Sequence, residues 1–134
     1  MILRNAAMTA ILLCTIAAVQ GSSQTPAKAK THIYSNVEYN EEGGDLLGYE
    51  IEFRLSGSQV TGTMRIYEGG CGEPVPLTGK LTAGKLRLRG QSRTYGGVDI
   101  GGIVGNGSIK ATIRMEKATE AETVKLKSIA KPHC

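Results

Sequence analysis

The sequence predicts an all-β protein, a small antiparallel up-and-down β-barrel of about eight strands, and three observations predict it. Apolar residues alternate with polar ones along most of the chain. Two-residue turn pairs sit midway between runs that match on both faces. Glycine is abundant (18 residues) without a collagen-like repeat, which suits tight turns and sharply coiled strands. A β-sandwich is the alternative closure, because both architectures cover strand edges.

Residues 1–21 (MILRNAAMTAILLCTIAAVQG) have the three parts of a signal peptide. Arg4 and the amino terminus supply positive charge, Ala6 to Val19 is uncharged, and Val19 and Gly21 are small residues placed for cleavage after Gly21. The uncharged run is shorter than the roughly 20 residues that span a bilayer, so a cleaved leader is expected rather than an anchor. Leu13 before Cys14 does not suit lipidation. The mature chain is then periplasmic or secreted, with no transmembrane segment. Residues 22–30 (SSQTPAKAK) are small, polar and basic, a flexible leader, and residues 31–134 form one domain.

Thr31 to Tyr39 reads as a half-buried first strand, with Ile33, Val37 and Tyr39 on one face and Tyr34 and Glu38 on the other. Asn40 to Asp45 (NEEGGD) is a loop. The next stretch, Leu47 to Tyr67, organises the rest. With a type II′ turn at Gly57-Ser58, one face pairs Tyr49 with Ile66, Ile51 with Met64, Phe53 with Gly62, and Leu55 with Val60. The other pairs Glu50 with Arg65, Glu52 with Thr63, and Arg54 with Thr61. A slip of one residue would push the apolar set into water, so the register is strongly specified.

Glu68 to Pro76 (EGGCGEPVP) is a loop carrying Cys71. A second hairpin turns at Ala83-Gly84 and pairs Leu81 with Leu86, Gly79 with Leu88, and Leu77 with Gly90. Gln91 to Gly97 is a polar loop. A third hairpin turns at Asn106-Gly107, the preferred type I′ pair, and matches Val104 with Ile109, Gly102 with Ala111, Ile100 with Ile113, and Val98 with Met115; Asp99 falls opposite Arg114. Lys117 to Glu122 is a loop, and Thr123 to Ser128 is the last strand, with Val124 and Leu126 inward. Sequential hairpins favour a barrel in which the last strand pairs with the first, helped by inward glycines at 62, 79, 90 and 102.

Cleavage would leave two cysteines, Cys71 and Cys134, and a disulfide is the expected state in an oxidising compartment. A nucleophilic Cys71 with His32 or His133 as base is the competing chemistry, and nothing in the sequence places either histidine beside it. His133 and Cys134 offer too few ligands for zinc. The glycine run 96–107 matches no phosphate-loop or dinucleotide motif. Asn106-Gly107-Ser108 fits a glycosylation acceptor, but the turn already accounts for it. No carboxylate is expected at an inward position, so no buried acid–base pair, catalytic residue or cofactor site is assembled. The expectation is a non-enzymatic protein.

Charge gives one local signal. The mature chain carries a net charge of only +3, too small to imply nucleic acid. Yet Lys80, Lys85, Arg87, Arg89 and Arg93 cluster, with Lys80 opposite Arg87, and opposed like charges are mildly destabilising. They point either to an anionic envelope component or protein partner, or to an edge strand guarded against aggregation. In its signal peptide, its two mature cysteines and stretches such as GDLLGYEIEFRLSGSQVTGTMRIYEGG, the chain resembles the small uncharacterised β-barrel proteins exported by many bacteria. It shares lipocalin architecture without the Gly-x-Trp signature. As a small exported β protein it is also similar to periplasmic lysozyme inhibitors, which act through loops; here the loop Ser92 to Gly96, with Tyr95, is the candidate contact. Three functions follow as expectations: a protein- or envelope-binding module using loops and the basic strand, a carrier of a small apolar ligand, and an enzyme inhibitor.

Overall fold

The structure, a computed structural model, describes residues 29–134. The expected signal peptide and most of the expected leader lie outside the described residues. Nine strands follow one another: β1 (Thr31–Ser35), β2 (Glu38–Asn40), β3 (Asp45–Ser56), β4 (Gln59–Gly69), β5 (Val75–Thr82), β6 (Lys85–Ser92), β7 (Gly96–Gly105), β8 (Ser108–Met115) and β9 (Glu122–Ser128). From β3 to β9 each strand pairs antiparallel with the next, and β1 pairs with both β9 and β3. Eight strands therefore close into an up-and-down barrel. β2 is an extra strand on β3, in line with β1. Closure gives each barrel strand a neighbour on both sides, which answers the requirement that excluded an open meander, and leaves residues 122–126 of β9 without a partner on β1.

The three hairpins keep the expected registers pair for pair. Their turns differ in kind. Gly57 alone has positive φ (60°) in the first, as a type II′ turn demands. In the second, Ala83 (49°) and Gly84 (76°) are both positive, a type I′ geometry that makes Ala83 the one described non-glycine residue in the left-handed region. The third departs from expectation: only Gly107 is positive (70°), so Asn106-Gly107 does not form the type I′ turn. Gly107 instead presents its carbonyl to the Ser128 amide at 2.8 Å, tying this turn to β9. The left-handed region costs an L-residue about 1–2 kcal/mol, so Ala83→Gly should raise stability by up to about 1 kcal/mol once the greater flexibility of unfolded glycine is subtracted. Chemical denaturation checks this; a loss of stability would contradict the turn geometry.

The inward positions form one apolar core. Ile51, Met64, Ile109 and Leu126 are completely buried, and Phe53, Leu77, Leu88 and Ile113 nearly so. Two inward glycines let neighbouring strands approach. A Cβ at Gly62 would overlap the Glu52 carbonyl and Phe53, and one at Gly79 would overlap the Arg87 carbonyl. Side chains there would force the strands apart.

The first strand is a correction. His32 pairs with Phe53 and Tyr34 with Ile51, so the even residues face inward, and Tyr34 joins the core. Tyr39, expected beside Ile33 and Val37, is 62 % exposed on β2. Ile33 is buried, but on the outer surface, where its carbonyl accepts the Ile129 amide at 2.9 Å. With both faces of β1 covered, its apolar residues carry no period-two signal. The strand is then interrupted at Asn36-Val37. The Asn36 side-chain oxygen accepts the Tyr49 amide at 2.7 Å, replacing a backbone partner in the ladder.

Candidate functional site

The ladder fixes which side chains share the outer surface of β5–β9. Lys80 lies opposite Arg87, Arg87 opposite Gly101, and Gly101 opposite Thr112. One step towards the hairpin turns, Lys85, Ile103, Lys110 and Lys125 form the next row across four strands. One step the other way, Arg89, Asp99 and Arg114 form a third. With Lys127, these strands present eight exposed cations and one carboxylate, Asp99, on this surface; just past β8, Glu116 adds a carboxylate at the Gly97 end, where it accepts the Gly97 amide at 2.8 Å. Asp99 bonds to Arg89 at 2.9 Å rather than to Arg114, the partner expected across β7–β8. Among the described residues no carboxylate lies within ion-pairing distance of the other seven.

Lys80, Lys85, Arg87 and Arg89 thus come together as expected, and Lys110, Arg114, Lys125 and Lys127 extend them. Two pairs of like charges are now directly opposed, Lys80 with Arg87 and Lys110 with Lys125. Edge protection does not account for the Lys80–Arg87 pair. β6 is hydrogen-bonded along its length to β5 on one side and β7 on the other, so it has no edge to guard. The other described acidic residues lie elsewhere, on β2 to the β4–β5 loop, on the β8–β9 loop and at Glu122, the first residue of β9. A chain of small net charge is therefore strongly polarised.

Arg93 and Tyr95 stand apart, at the loop end of the barrel. Arg93 reaches Glu73 at 3.8 Å. Tyr95 is half-buried against the core, its hydroxyl against Glu68, beside a cleft of about 310 Å³ lined by Cys71, Glu73, Ser92 and Thr94. Across the opening the Tyr49 hydroxyl donates to Glu122 at 2.5 Å. Glu68 and Glu122 occupy inward positions at the mouth, which the sequence had suggested hold no carboxylate. Both are exposed there, so they are solvated groups rather than a buried acid–base pair.

The C-terminal tail forms a second polar cluster. Cys71 and Cys134 are joined by a disulfide, with Cα atoms 6.0 Å apart. The link lays residues 129–134 over the outside of β1, β3 and β4, and so buries Glu50, which is 3 % exposed. Its carboxylate accepts the His133 amide (3.2 Å), lies 2.5 Å from His133 Nδ1, and accepts the Tyr67 hydroxyl at 3.2 Å. Arg65, the expected partner of Glu50, turns to the Gly72 carbonyl at 2.8 Å. With Cys71 and Cys134 oxidised, no thiol remains among the described residues to pair with either histidine. Among the described residues no three His, Cys, Asp or Glu side chains are grouped to hold a metal ion.

Burial, and then the Glu50 carboxylate, push the Tyr67 hydroxyl up to about 12; burial and the bond to Glu68 push Tyr95 up to about 12 as well. Tyr49 is raised further, first by burial and then by Glu122. An unfolded tyrosine ionises near pH 10, so between about pH 10 and 12 the folded state holds more protons and stability falls as pH rises. Denaturation midpoints measured stepwise through this range should decline, and Tyr67→Phe should flatten the decline. A level profile for the parent protein would contradict the buried hydroxyls.

The sequence could not place Lys110 against Lys125, because the loop between β8 and β9 carries no turn signal that sets register. It could not find the Glu50 cluster either, since the tail residues AKPHC have no periodicity. Comparison with protein-family models, curated proteins and solved structures returns no match, so the reading of this surface rests on its chemistry.

Proposed function

We propose that the protein is an exported, non-enzymatic binding module that engages an anionic component of the cell envelope through the outer face of β5–β9. One observation carries this reading: two opposed like-charge pairs sit on strands that present eight cations and one carboxylate outward, and the Lys80–Arg87 pair lies away from any strand edge. Such pairs cost stability, and a polyanionic partner is what would offset the cost. The disulfide fits an oxidising compartment outside the cytoplasm. The carrier reading has less support, because the barrel interior is filled by its own side chains. The inhibitor reading has less support, because the Tyr95 side chain is half-buried against the core.

The test separates binding from folding. Arg87→Glu with Lys110→Glu converts both like-charge pairs into opposite-charge pairs, Glu–Lys80 and Glu–Lys125. Stability should rise by roughly 0.2–1 kcal/mol per pair. Binding to cell-wall sacculi and to anionic vesicles, measured at rising salt, should fall by about tenfold or more, with a shallower salt dependence. Unchanged binding by a correctly folded double variant would overturn the proposal.

A further inference from the structure

The basic face is not uniform. Its middle strand, β7, presents Gly97, Asp99, Gly101, Ile103 and Gly105 outward, so three of five outward positions lack a side chain. At Gly101 an added Cβ would meet nothing within 4 Å. Two clefts, of about 230 and 460 Å³, meet there and share Arg87, Gly101 and Thr112. Together they make a groove along the strand. Arg87 and Lys85 form one wall and Arg114 and Lys110 the other, and Ile103, 64 % exposed, stands at one end.

We infer that this groove is the seat of a single extended polyanionic chain, lying along β7 with its anionic groups towards the walls. This rests on the basic-face reading above and narrows it. Cations at alternate positions of a strand recur about every 7 Å, which suits a ligand whose charges also repeat along a line. A recessed floor suits a chain one strand wide. A bilayer meeting a convex barrel would rest on the walls and leave the floor untouched. Asp99 does not oppose an anion strongly, because Arg89 neutralises it. Ile103 offers apolar contact to the uncharged part of a repeating unit.

The decisive variant is Gly101→Val, which fills the floor without changing charge. The open space at Gly101 and its ordinary φ mean that the fold accepts a β-branched residue there. Binding would be measured with labelled inorganic polyphosphate, labelled polyglutamate, and vesicles of phosphatidylglycerol in phosphatidylcholine. The expected result is about tenfold weaker binding of the linear polymers by Gly101→Val, with vesicle binding held within about twofold. Thr112→Leu, which crowds the groove from β8, should reproduce the loss and covers a poorly folded Gly101→Val. Preference for polyphosphate, or equal binding of both polymers, supports the groove and separates phosphate chemistry from charge alone. Polymer binding unaffected by either filling variant would overturn the groove while leaving the basic face standing. If Arg87→Glu with Lys110→Glu also binds normally, the basic-face reading itself fails.

Discussion

Replacing Cys71 and Cys134 with serine should lower the stability of the domain by about 4 kcal/mol, the chain-entropy value for a loop of this length. The two cysteines are 63 residues apart, and the link between them spans five of the eight barrel strands. For a domain of about 100 residues this corresponds to a fall in melting temperature of roughly 20 °C. The loss extends beyond chain entropy, because the freed tail uncovers Glu50 and Ile33. Both cysteines are exposed, so a reductant added to the folded protein should give the same result as the double substitution. Urea unfolding with and without reductant checks this. A change below about 1 kcal/mol would mean that the tail stays docked without its bond and that the Glu50–His133 contact alone holds it. His133→Ala in the oxidised protein separates these contributions.

Phe53→Ala should cost about 3–5 kcal/mol, the range for emptying a buried aromatic site. Phe53 is 2 % exposed; its ring stacks on Tyr34 at 5.8 Å and on His32 at 5.4 Å. It lies opposite Gly62, whose missing side chain is what gives the ring its space. Neighbouring strands pinned at that glycine cannot collapse into the void, so the cavity term applies nearly in full. Leu47→Ala, at a side chain 46 % exposed on the same strand, is the control and should cost well under 1 kcal/mol. A small cost at Phe53 would mean that the interior is loosely filled, and would return weight to an internal ligand.

How far the fold was legible depended on whether each strand had one wet face. β3 and β4 do over the stretch from Glu52 to Thr63, beyond the reach of the tail, and each expected pair of their hairpin formed. β1 does not, because the tail covers its outer side, and its face was misassigned. The turns were legible as positions but not fully as geometries: Ala83 accepts a left-handed φ that its type disfavours, while Asn106, which tolerates one, does not take it. Of the candidate site, the β6 cations could be read, since alternate positions on a strand share a face. Their continuation on β8 and β9 needed a register that six loop residues do not encode. The groove was hidden for a different reason. Gly101 reads as a bend residue in a sequence, and only its outward parity shows that it opens the floor between Asp99 and Ile103.

The seam between β1 and β9 has a consequence for how the domain is made. It consists of two residue pairs, Tyr34 with Ser128 and Ser35 with Lys127, against eleven between β3 and β4. The hairpins join neighbours and can form as soon as each emerges during synthesis, but the seam joins the two ends of the domain, and the disulfide waits for Cys134 itself. A nascent chain therefore displays a curved sheet with two bare edges until β9 and Cys134 arrive. Loss of Cys134 alone would leave every hairpin intact and the cylinder without its fastener.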